Sequence, residues 1–154
     1  MKGNEQIIIA LNNLLAEELT AVNQYMVHSE MCDNWGYEKL HKSIEKRAIN
    51  EMKHAEMLIG RILFLDGIPI VSHLKEMHIG ADVEKQFQND LHLENDAVNS
   101  YNLSIKLAAE LADNGTRDFL QEILNDEEDH VDEIETQLEQ IKQIGLQNYL
   151  GEQI

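Results

Sequence analysis

The stretch Gly67-Ile68-Pro69-Ile70-Val71-Ser72-His73-Leu74-Lys75-Glu76-Met77-His78-Ile79-Gly80 lies near the middle of the chain and decides its architecture. It is apolar but follows neither a helical nor a strand period, and Pro69 lacks a backbone donor, so it reads as a long connection. On either side stand two long helical segments. The first runs from about Asn4 to Asn34, with Ile8, Leu11, Leu15, Val22 and Tyr25 at helical steps, and Asp33, Asn34 and Gly36 stop it. The second runs from about Tyr37 to Leu65 and ends at Asp66-Gly67. Beyond the connection, Asp82 is placed to cap a third helix reaching Asn114-Gly115. Thr116 is placed to cap a fourth, which runs to about Ile144 and is closed by Gly145. Leu146 to Ile154 is a short amphipathic tail, read as a small fifth helix. Short turns make antiparallel neighbours, so the expectation is an all-α four-helix bundle with one long crossover between helices two and three. A chain of 154 residues accommodates this as a single domain, 1–154.

Composition narrows the function. The net charge of −17 sets the chain against nucleic-acid phosphates and acidic membrane surfaces, so neither is expected as a partner. Cations are its natural counterpart, although acidity by itself also serves solubility. Cys32 is the only cysteine, which excludes an intrachain disulfide and a thiolate metal cluster. The most apolar run, Ile59 to Val71, is interrupted by Arg61, Asp66 and Pro69 and cannot span a bilayer. No signal peptide opens the sequence, so a cytoplasmic location is expected.

The two halves repeat each other. Glu18-Leu19-Thr20-Ala21-Val22-Asn23-Gln24-Tyr25 returns 76 residues later as Glu94-Asn95-Asp96-Ala97-Val98-Asn99-Ser100-Tyr101. Glu51-Met52-Lys53-His54 returns at the same offset as Glu127-Glu128-Asp129-His130. A helical hairpin has been duplicated, which relates the copies by a pseudo-twofold axis.

These acids point inward. Glu18 has Leu14, Leu15, Ala21, Val22 and Tyr25 three, four or seven positions away, and Glu94 has Phe87, Leu91, Ala97, Val98 and Tyr101. Glu127 is similarly framed, whereas Glu51 has Arg47 among its neighbours. His54 and His130 follow their glutamates by three residues and share their faces. Four carboxylates converging in a bundle core repel one another, and each costs several kcal/mol to bury unless paired or metal-bound. No basic residue takes a matching place in the repeated motifs. Two divalent metals neutralise four carboxylates, and one imidazole completes each shell, a donor set suited to iron, manganese or zinc. One glutamate from each of two helices plus Glu-x-x-His from each of the other two is the ligand set of carboxylate-bridged two-metal bundles.

On these motifs the chain resembles the bacterioferritins over essentially its whole length, in the ferritin-like di-iron class. The resemblance implies a ferritin-like bundle, Glu18 and His54 on one iron, Glu94 and His130 on the other, and Glu51 and Glu127 bridging. It also implies ferroxidase chemistry with O₂ or H₂O₂, and storage of Fe³⁺ mineral in a hollow homo-oligomer of 24 subunits built from twofold dimers. A ferredoxin-type reductant would release the iron. Tyr25 and Tyr101 flank the site and are placed to hydrogen-bond the opposite glutamates, although core packing accounts for them equally well. A rubrerythrin-like di-iron peroxidase is the alternative, but its usual module needs paired Cys-x-x-Cys motifs that this chain lacks. A haem electron-transfer bundle without storage is a third reading.

Met52 follows Glu51 and so points about a quarter turn away from the acids. Ile49, Met52 and Ile59 form a second apolar line on their helix, and Leu19 and Met26 form one on the first. The residues alone indicate an apolar dimer interface. The resemblance adds a haem, haem b or a related iron porphyrin, one per dimer, with Met52 from each subunit as axial ligand. Some relatives carry histidine and aspartate on the cavity side of the second helix, where this chain has Lys46 and Asn50, so an inner-surface iron site is not expected. His28, His41, His73, His78 and His92 show no partner pattern and read as structural or surface residues.

Overall fold

A computed structural model describes residues 1–154 and contains five helices: α1 Glu5–Asn34, α2 Glu38–Phe64, α3 Val83–Glu110, α4 Asn114–Ile144 and α5 Leu146–Gly151. It is an all-α bundle with the long crossover between α2 and α3 and the short C-terminal helix. No helix is long and apolar enough to cross a membrane. Asn4 caps α1 by accepting from the Gln6 amide at 2.8 Å, and Asp82 caps α3 by accepting from the Lys85 amide at 2.8 Å. Between α1 and α2 the chain turns at Gly36, whose φ of 82° lies in the left-handed region.

One boundary differs from the sequence reading. The third helix stops at Glu110, and Asn114-Gly115 lies inside the first turn of α4. The turn is made by Ala112, at φ 57°, and Asp113 is the cap, accepting from the Thr116 amide at 3.0 Å. Thr116, expected to be the cap, donates its hydroxyl to Asp113 Oδ2 at 2.7 Å. A carboxylate that takes both Thr116 donors outcompetes a hydroxyl three residues further on.

The crossover is strapped along α1. Ile70, Lys75, His78 and Gly80 each donate a backbone N–H to a side chain of that helix: Asn12 Oδ1, Thr20 Oγ1, Gln24 Oε1 and His28 Nε2, at 2.8–3.1 Å. Thr20, Gln24 and His28 recur every four residues, so they line one edge of α1 and face a chain running beside it. Backbone donors that no helix or sheet satisfies are satisfied there.

The core falls into two apolar clusters. One gathers Leu14, Leu15, Leu58, Ile62, Leu120 and Ile123. The other gathers Ile44, Phe87, Ile134 and Tyr149, among others, and Tyr149 brings α5 onto the bundle edge-on to Phe87, ring centroids 6.3 Å apart. Each fully buried aliphatic chain contributes about 1.5–3 kcal/mol. Along every long helix, the repeated acids fall between a stretch belonging to one cluster and a stretch belonging to the other. The polar site is thus clamped by apolar packing above and below.

Candidate metal centre

α1 and α3 each present one glutamate inward, and α2 and α4 each present a glutamate and a histidine one turn apart. The structure brings all six together. Glu18, Glu51, His54 and Glu127 form one group whose ligand atoms lie within 4.8 Å of one another, and Glu51, Glu94, Glu127 and His130 form a second. Glu51 and Glu127 belong to both. Five of the six are at most 2% exposed, and His130 is 7% exposed. Met52 stands apart from this group, 44% exposed on the outer face of α2, with Ile49 and Met26 also exposed.

Both imidazoles turn Nδ1 toward the acids. His54 Nδ1 lies 2.7 Å from Glu127 Oε1, and His130 Nδ1 lies 2.6 Å from Glu51 Oε1 and 3.3 Å from Glu94. These approaches are close, yet their angles are not those of hydrogen bonds. Both Nδ1 atoms, Glu51 Oε1, Glu94 Oε2 and both Glu127 oxygens are left buried without partners. A cluster of orphaned buried acceptors is costly unless something else binds it. Carboxylate oxygens and imidazole nitrogens around a shared centre form the donor set of a hard or borderline divalent cation, so these residues fit a pair of such ions.

The protonation of these groups reports the same crowding. Burial, then the charges of Glu18 and its neighbours, pushes Glu51 and Glu127 well above the usual carboxylate range. Burial alone would lower both histidines, but the Glu127, Glu18 and Glu51 contacts raise His54, and Glu94 raises His130. Burial also works against Glu94 ionisation and is overcome by His130 and Glu127, so its pKa falls. Crowded and buried together, Glu51 and Glu127 are driven toward their protonated forms. Tyr25 donates to Glu94 and Tyr101 to Glu18, each across the bundle from α1 to α3 or back. Burial first, then the nearby acids, raises both phenols well above their usual value, so they stay protonated donors.

Several residues around the site were given no role there by the sequence reading. Asp90, fully buried, accepts from Gln24 Nε2 at 2.8 Å and lies 2.8 Å from His28 Nδ1. Arg47 is 4% exposed, lies 3.8 Å from Asp90 and sits 5.4 Å over the Tyr25 ring. Asp126 lies 2.8 Å from His54 Nε2. His28, read as lacking a partner, therefore joins Asp90 to the crossover. The available signal was a mismatch between the halves: at the 76-residue offset Arg47 corresponds to Ile123, Asp90 to Leu14, and Asp126 to Asn50.

Comparison with known proteins agrees with this architecture. Residues 8–144 match the family model for the ferritin-like domain. Bacterioferritin from Mycolicibacterium paratuberculosis is 39% identical over 149 residues, covering 97% of this chain and 94% of that protein. Bacterioferritin from Brucella melitensis is 40% identical over 149 residues, 97% of this chain and 92% of its own length. Bacterioferritin from Streptomyces coelicolor is 38% identical over 151 residues, covering 98% and 90% respectively. With the ferritin-like domain matched along most of its length and such relatives aligned nearly end to end, the chain belongs to the bacterioferritin family.

Proposed function

We propose that this protein is a ferroxidase and iron-storage subunit that oxidises Fe²⁺ between its four inward glutamates and two histidines. Glu18 and His54 hold one substrate ion, Glu94 and His130 the other, and Glu51 and Glu127 bridge them. The observation that carries the reading is the set of buried carboxylate and imidazole atoms with no hydrogen-bond partner, gathered into two overlapping groups. Each Fe²⁺ gives up one electron. With O₂ as oxidant, the pair of electrons and two protons yield H₂O₂; with H₂O₂, they yield two waters. The protons displaced from the cluster as Fe²⁺ enters are available for that reduction. Tyr25 and Tyr101 orient Glu94 and Glu18, as partners of ligating carboxylates do.

Fe³⁺ then hydrolyses to mineral inside a hollow homo-oligomer of 24 subunits in the cytoplasm, and a ferredoxin-type reductant releases it. The strongly acidic chain favours cation entry. The exposed line of Met26, Ile49 and Met52 serves a twofold interface. There the two Met52 thioethers of a dimer would hold one haem b or related porphyrin, which would supply one-electron redox chemistry at the interface.

The test is anaerobic loading with two Fe²⁺ per subunit followed by exposure to oxidant. Glu18→Ala and His130→Ala should each abolish the rapid first oxidation while keeping the helical circular dichroism of the parent. Oxidation at the parental rate in either variant removes that residue from the site. Size-exclusion chromatography should give a particle of several hundred kilodaltons, and a monomer at micromolar concentration excludes storage.

A further inference from the structure

The ligands obey the pseudo-twofold repeat, but the residues behind them do not. His54 has its outer nitrogen, Nε2, on Asp126 at 2.8 Å. The residue equivalent to Asp126 in the other half is Asn50, which lines the same cleft between α2 and α4 as His130 and makes no hydrogen bond to it. A carboxylate behind a ligating imidazole fixes the ring and raises its basicity, and a neutral amide cannot supply the second effect. Two further features fall on the His130 side of the cluster. Arg47, a buried cation whose Nε and Nη1 lack hydrogen-bond partners, stands where the other half has the apolar Ile123. It lines the cleft beside His130, and a buried positive charge there disfavours a second cation. Asp90 lies close enough to offset part of that field but leaves the guanidinium donors unsatisfied. His130 is also the ligand nearest solvent, opening on a cleft of about 500 Å³, whereas His54 is 1% exposed.

We infer that the two metal positions are unequal: Asp126 is a positioning residue that makes the Glu18/His54 position the tight one, and the Glu94/His130 position, backed by Asn50, is the weak and exchangeable one. This rests on the two-metal reading of the site. It assigns different duties to ligands that look alike. One ion stays seated while the other is exchanged through the cleft.

The experiment is an anaerobic Co²⁺ titration of the full assembly, read by the visible d–d absorption of the bound ion, which needs no turnover. The parent should fill in two steps whose affinities differ by about tenfold or more, the usual weight of an outer carboxylate behind a histidine ligand. His54→Ala should remove the tight step and His130→Ala the weak one. Asn50→Asp should strengthen the weak step about tenfold, and Asp126→Asn should weaken the tight one similarly. The double exchange, Asn50→Asp with Asp126→Asn, should narrow or reverse the order. Both positions are at least partly solvent-exposed, so these variants fold. Binding of two Co²⁺ with a single affinity in the parent, or an unmoved weak step in Asn50→Asp, overturns the inference and leaves the two-metal site standing. Failure to bind Co²⁺ at all overturns both.

Discussion

Tyr25 on α1 hydrogen-bonds Glu94 on α3, and the two residues sit 69 positions apart in the chain. The bond ties the first hairpin to the second at the level of the candidate centre, and Tyr101 with Glu18 repeats it in reverse. A hydrogen bond to a buried charged acceptor contributes about 1.5–3 kcal/mol. Tyr25→Phe should therefore lower the unfolding free energy of the metal-free protein by about that amount, measured by denaturant titration in chelating buffer. A loss below about 0.5 kcal/mol would mean that the tyrosine acts only by packing.

Glu51 and Glu127 give the metal-free protein a defined dependence on pH. Their folded pKa values lie above the unfolded value near 4.5, so the stability they contribute is complete below that value and is lost as pH rises through the folded ones. His54 and His130, raised above 6.5, act in the same direction, while the lowered Glu94 acts the other way only below about pH 4.5. The thermal midpoint should fall between about pH 5.5 and pH 8 in chelating buffer. Glu127→Gln, which cannot ionise, should flatten the fall. A midpoint that climbs over this range contradicts the sign.

Arg47 and Asp90 form a buried ion pair behind the site, 3.8 Å apart, that the repeat does not share. Removing one member of such a pair costs about 3–5 kcal/mol, because the other charge is left uncompensated. Arg47→Ile should show that loss. Restoring the other half's chemistry on both sides, Arg47→Ile with Asp90→Leu, should cost less than the two single changes added together. Simple additivity in this cycle would show that the pair does not interact.

Cys32 is buried against Gln86, its Sγ 3.4 Å from the amide oxygen, and burial followed by the Asp90 charge pushes the thiol up to about 11. At neutral pH it is neither exposed nor a thiolate. An aromatic disulfide reagent should find no reactive thiol in the native protein and one per chain after unfolding. Rapid native labelling would place Cys32 at the surface.

Met52 is directed away from the acids by one residue, is exposed, and belongs to neither of the two acid-histidine groups. Met52→Leu should abolish the haem absorption of the purified protein and Met52→His should alter it, while the first Fe²⁺ oxidation persists in both. An unchanged spectrum in Met52→Leu would leave this apolar line as a plain subunit contact.

How much of this was readable beforehand depends on the range of the interaction. The Glu-x-x-His pairs lie within one helical turn, and the duplication made their convergence legible, because two copies of one hairpin imply a shared axis. The α3 terminus was misplaced because Asn114-Gly115 is a strong stop signal, and nothing local shows that Ala112 adopts the left-handed turn first. His28 seemed unpartnered because Asp90 lies 62 residues away, and a contact of that span leaves no period. Arg47 was visible as an intruder beside Glu51, but a sequence cannot show that it lies over Tyr25.

The strap between α1 and the crossover has a dynamic consequence. A connection without helix or sheet ordinarily exchanges its amide hydrogens within seconds and invites proteolysis. Here the amides of Lys75, His78 and Gly80 are held by Thr20, Gln24 and His28, so their exchange requires the strap to lift from α1. Those three amides should exchange orders of magnitude more slowly than the neighbouring amides of Ser72 and Glu76, giving an alternating pattern of protection along a stretch with no regular secondary structure.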